Sequence, residues 1–95
     1  MATLLKTDGT KVQVSPKNKR FTLKELYELI GNGCDMIERV GPSEKGESLI
    51  VDEEGNFRES VIANWNATDW IAAEFGVMNV VVGNAVIVPQ NEMFK

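Results

Sequence analysis

Four cations stand where the chain turns into a helix. Lys17, Lys19, Arg20 and Lys24 surround a segment in which Thr22 and Glu25 have the T-x-x-E spacing of a capping box. A helix start presents unpaired backbone N–H groups and about half a positive charge, so it favours anions. Arginine grips phosphate through two parallel hydrogen bonds, and lysines add point charges. The chemistry these residue types offer together is phosphate binding, and the four cations are the expected phosphate ligands. The competing reading is a solvated cap, since Thr22 and Glu25 occupy some of the same N–H groups and Glu25 is itself negative.

A second group is Asn64, Trp65, Asn66 and Trp70. Indole rings stack on nucleobases and Asn amides read base edges, so these four are expected to supply a stacking and polar face for a ligand. Against this stands the ordinary use of Trp as a core or interface anchor and of Asn as a cap or turn residue. The acids Asp52, Glu53 and Glu54, with Glu44 and Glu47, lack the D-x-D-x-D-G spacing of a calcium loop and read as a polar turn. Cys34 is the single cysteine and the chain has no histidine, which excludes an intrachain disulfide, a thiolate metal cluster and imidazole acid–base chemistry. Phosphate-loop, dinucleotide and CxxC motifs are missing. The expectation is a non-enzymatic protein without catalytic residues, metal or cofactor.

The elements that must position these groups follow from periodicity. Leu23, Leu26, Tyr27 and Ile30 recur at i, i+3, i+4, i+7 and predict an amphipathic helix behind the Thr22 cap, with Phe21 folding onto Leu26 and Gly31 or Gly33 as the stop. Residues 3–6 and 11–14 predict strands joined across Asp8-Gly9, a dipeptide suited to a tight hairpin. Residues 34–40 and 48–52 predict two more strands, separated by a loop over 41–47 and followed by the acidic turn at 53–56. Residues 57–63 are ambiguous between helix and extended chain. Asn66 or Thr68 is expected to cap a short helix over 67–75 that stops at Gly76. Residues 79–88 (NVVVGNAVIV) are the most β-prone run; Gly83-Asn84 reads as a bulge in one long strand in preference to a hairpin turn. Residues 90–95 read as a flexible tail. The fold class expected is α+β: one domain over 1–95, a small mainly antiparallel or mixed sheet, and two short helices on one face.

Ninety-five residues, 43% of them apolar, support one core that buries about 60–65% of the unfolded surface, so a homo-oligomer is expected to add stability. No apolar run reaches a membrane span and the first ten residues lack a signal peptide's core, so no membrane partner and a cytoplasmic location are expected. The net charge of −4 argues against a general nucleic-acid binder, and no sequence-specific DNA partner is expected. Its distribution is bipolar: five cations and no acid lie between Lys11 and Lys24, while eight acids lie between Asp35 and Glu59.

The segments LKELYELIGNG (23–33), LIVDEEGNF (49–57), NWNATDWIA (64–72) and NVVVGNAVIV (79–88) resemble, in order and type, those of a family of small phage and mobile-element proteins of unassigned function. The N-terminal hairpin and the KNKR segment depart from that pattern. The resemblance implies a viral setting, inside a host cell, in which small proteins bind and disarm host factors; it brings no catalytic residues. Two functions are then expected. The first is sequestration of a small phosphorylated, nucleotide-type ligand such as a host immune signal, in a pocket completed by a second subunit. The alternative is inhibition of a host protein by nucleic-acid mimicry, through Asp52, Glu53, Glu54 and Glu59.

Overall fold

The computed structural model describes residues 1–57 and 61–94. Seven strands and two helices follow one another as β1 (Ala2–Leu5), β2 (Lys11–Val14), α1 (Leu23–Ile30), β3 (Ile37–Val40), β4 (Glu47–Asp52), β5 (Ala63–Asn64), α2 (Trp65–Phe75), β6 (Val81–Val82) and β7 (Ala85–Pro89). Five strands form one antiparallel sheet in the order β2-β1-β7-β4-β3, and β5 pairs with β6 in a separate two-stranded piece. The α+β class with a small antiparallel sheet is therefore what the chain adopts.

Strand alternation decides where the helices go. Leu4, Ile50, Val86 and Val88 point to one face and pack with Phe21, Leu26 and Ile30 of the α1 region. Leu5, Leu49, Val51 and Ala85 point to the other face and pack with Ala67 and Ile71 of α2. The helices thus cover opposite faces, which corrects the expectation that both lie on one. The cause is β7: its near-continuous apolar run is buried on both sides, and a strand of that kind needs a cover on each.

Residues 79–88 do not form one bulged strand. Gly83, at φ +79°, turns the chain between β6 in the small sheet and β7 at the centre of the large one. Side chains enforce the break: Thr68 Oγ1 accepts the Val81 N–H at 2.9 Å, and Asn84 Oδ1 accepts the Thr7 N–H at 3.0 Å. The N-terminal hairpin forms as expected, with Ala2 opposite Val14 and Leu5 opposite Lys11. Strand β3 is shorter than the predicted 34–40. The second helix begins at Trp65, with Asn64 as its cap in place of Asn66 or Thr68. Within α1, Leu26 and Ile30 are buried, each worth about 1.5–3 kcal/mol, but Leu23 is exposed and Leu29 packs on the core instead.

Residues 90–94 are docked, not a tail. Met93 is 2% exposed within the α1-side core, Phe94 packs against it, and the Gln90 N–H donates to Gly46 O at 2.8 Å.

Candidate functional site: the α1 mouth and the acidic cleft

The capping box at α1 is complete. Thr22 Oγ1 accepts the Glu25 N–H at 3.1 Å, and Glu25 Oε1 accepts the Thr22 N–H at 2.9 Å. The other carboxylate oxygen, Oε2, accepts the Lys17 N–H at 3.0 Å. The Thr22 and then the Lys17 N–H groups hold the Glu25 carboxyl below its ordinary pKa. A carboxylate so placed already serves as the anion at this helix end. Phe21 N–H donates to Glu92 O at 2.8 Å, and Arg20 Nη1 donates to Met93 O at 3.0 Å. The docked C-terminal segment thus takes one of the five N–H donors of the guanidinium expected to grip phosphate. Lys17, Lys19, Arg20 and Lys24 are all exposed around this mouth. The neighbouring groove, of about 360 Å³, places Lys17 alongside Glu25 and Glu28, so its charge is mixed.

The expected stacking group lies on the other side of the sheet. Asn64, 1% exposed, is committed to the fold: its Nδ2 donates to Leu5 O and Gly83 O, both at 2.9 Å, and its Oδ1 accepts the Ala67 N–H at 3.1 Å. Asn66 Nδ2 donates to Gly9 O at 3.2 Å, tying α2 to the first hairpin. Trp70 is half-buried and meets Phe75 edge-on, ring centres 5.8 Å apart. Trp65 is 62% exposed, but five helical positions turn it about 140° from Trp70. The structure therefore brings Lys17, Lys19, Arg20 and Lys24 to one helix mouth and separates them from Asn64, Trp65, Asn66 and Trp70 by the sheet itself.

A larger concavity opens elsewhere. A cleft of about 530 Å³ lies beside β3, walled by β3, β4, α2 and β6. Val40, Val51, Ile71 and Val81 give it an apolar floor, and Glu38, Glu53, Asn56 and Asn79 contribute polar groups. Glu38 is opposite Val51 in the ladder, so its side chain stands on the α2 face beside this floor. Arg39 also borders the cleft, but its guanidinium is used on the α1 face: Nε donates to Ser48 Oγ at 3.0 Å and Nη2 to Gln90 Oε1 at 2.6 Å. Glu38 and Glu53 are exposed. Asp52 is not available to a partner in the way expected: it is 8% exposed, and its Oδ1 accepts the Glu54 N–H at 2.9 Å. Glu59 lies outside the described residues.

Alternation in IERV (37–40) is the signal that could have flagged Glu38. Which face holds the cleft depends on the strand order, which no local pattern encodes. Among the described residues no group of three or more Cys, Asp or Glu side chains is placed to hold a metal, and no helix is long and apolar enough to cross a membrane.

Compared with known proteins, the chain matches no family model, no curated protein and no solved structure.

Proposed function

We propose that this chain is a non-enzymatic interaction protein that docks a basic protein partner on the acidic side of its sheet. The observation that carries the reading is the way folding sorts the charge. Lys11 lies on edge strand β2, with Lys17 and Lys19 just after it; Asp35, Glu38, Glu53 and Glu54 gather at the opposite edge around β3 and the end of β4. Four strand spacings of about 4.8 Å hold the two edges about 19 Å apart. Fields of one sign on one side of a small protein steer partners of the other sign and set binding register. The acidic side also borders the larger cleft, so charge and concavity coincide there. At the α1 mouth the groove sets Glu25 and Glu28 beside Lys17, so its charge is mixed and favours neither sign.

The viral or mobile-element setting belongs to this proposal and makes the partner a host protein met in the cytoplasm. The test is affinity capture with three forms of the chain, the captured protein being identified by mass spectrometry. Wild type and Lys17→Glu/Lys19→Glu are expected to retain one and the same basic protein, and Glu38→Lys/Glu53→Lys to lose it. Loss of the partner in the lysine variant alone would contradict the reading. So would a thermal upshift with a nucleotide that the lysine variant abolishes, since a ligand bound to the native state raises its melting temperature by mass action.

A further inference from the structure

The geometry points to a specific mode of docking: an extended peptide segment of the partner adds to β3 as a sixth strand, setting a cationic and an apolar side chain into the cleft. This rests on the reading that the acidic side is the docking surface, and it names the partner's chemistry.

Among the described residues strand β3 ends the sheet, and one row of its backbone groups has no strand partner there. The Glu53 N–H donates to Met36 O at 3.0 Å, which marks Met36 and Glu53 as a hydrogen-bonded pair of the antiparallel ladder. Bonded and non-bonded pairs alternate, so Glu38 and Val40 bond to β4 while Ile37 and Arg39 direct their N–H and C=O groups outward. An incoming strand meets those two residues. Its side chains opposite Glu38 and Val40 then stand on the α2 face, where the cleft lies. The position facing Glu38, with Glu53 nearby, suits lysine or arginine; the position facing Val40, at the apolar part of the cleft, suits an aliphatic residue. Main-chain bonds give such a complex its affinity, and alternate side-chain sites give it specificity. The recognised unit is thus a cation and an aliphatic residue two positions apart in extended chain.

A second copy of this chain does not satisfy that requirement with its own basic edge. In β2 the residues sharing a face are Lys11 with Gln13 and Val12 with Val14, so no cation stands two positions from an aliphatic residue. The basic edge of a second copy thus does not supply the recognised unit, and the occupant inferred is a different protein.

The test titrates the ¹⁵N-labelled full chain with a blocked peptide Thr-Lys-Thr-Val-Thr-Lys-Thr, read by amide shifts. Saturable shifts are expected at residues 37–40 and 79–82, with slowed hydrogen exchange at the Ile37 and Arg39 N–H groups. Replacing both lysines of the peptide by glutamate should weaken binding about tenfold or more, because it reverses the charge set against Glu38 and Glu53. The same peptide N-methylated at alternate residues keeps its charge and loses its backbone donors, and it should bind no better than the glutamate form. Equal binding by the methylated peptide would overturn strand addition, as would shifts confined to β2 or the α1 mouth. Self-association of the free protein that Glu38→Lys abolishes would also overturn it, by showing a second copy on this edge. If the peptide fails to bind while partner capture still depends on Glu38 and Glu53, the strand mode alone falls; if capture ignores those residues, the docking surface falls with it.

Discussion

Asn64 joins three parts of the molecule through one amide. It caps α2, holds the Leu5 carbonyl at the end of β1 and holds the Gly83 carbonyl at the turn into β7. Its neighbour in function is Thr68, whose hydroxyl donates to Asn64 O at 2.9 Å while accepting the Val81 N–H. Asn64→Ala removes the cap and the amide's bonds to the Leu5 and Gly83 carbonyls, and should cost about 3 kcal/mol in urea unfolding. Asn64→Asp keeps the acceptor for Ala67 but sets a carboxylate against those carbonyls, so it should be at least as damaging. A loss below about 1 kcal/mol in Asn64→Ala would contradict this role, since a cap alone can account for that much. Glu25 makes a second residue-scale prediction. Its carboxyl is held below its ordinary pKa chiefly by the Thr22 N–H and next by the Lys17 N–H. A depressed pKa means stability that is complete above the unfolded value, about 4.3, and lost as pH falls through the folded one. Thermal melts between pH 7 and 3 should show Glu25→Gln losing less on acidification than wild type does. A parallel loss in both would show that the carboxylate does not report on the fold.

At the scale of elements, α1 and the C-terminal segment are one unit. Phe21 and Met93 share a core cluster with Leu26 and Ile30, and two hydrogen bonds, from the Phe21 N–H and Arg20 Nη1, cross between the segments. Met93→Ala should destabilise the chain by about 3 kcal/mol, because a buried methionine leaves a cavity when truncated. Lys17→Glu with Lys19→Glu, by contrast, touches only exposed side chains and should change stability by no more than about 0.5 kcal/mol. Equilibrium denaturation compares the two directly, and a lysine variant as unstable as Met93→Ala would refute the assignment. The first helix was legible because its signals are local: a T-x-x-E cap and an i, i+3, i+4, i+7 stripe lie within nine residues. The docking of residues 90–94 was not, because Met93 is buried by segments some sixty to ninety positions away in the chain. Gly83 shows the same limit. Its positive φ marks a break in the β-prone run, yet only the claims of Thr68 on Val81 and of Asn84 on Thr7 make that break a change of sheet.

For the molecule as a whole, the bipolar charge read along the chain became a bipolar charge in space, since β2 and β3 took opposite edges of one sheet. Within one chain the eight residues expected to bind a ligand divide between the two faces of the sheet, Lys17, Lys19, Arg20 and Lys24 at the start of α1 and Asn64, Trp65, Asn66 and Trp70 at α2. Face assignment is a tertiary property: it follows from β7 being buried on both sides, and a helix stripe says only that some face must be covered. The cleft was illegible for a related reason. Its walls come from β3, β4, α2 and β6, and its polar rim joins Glu38 and Glu53 to Asn56 and Asn79.

The account stands on the acidic, cleft-bearing side of the sheet being the surface that a partner covers. Hydrogen–deuterium exchange of the full chain, alone and with its captured partner, tests this most directly. Protection is predicted at residues 37–40 and 79–82, with residues 17–30 exchanging as in the free protein; protection confined to residues 17–30 would contradict it.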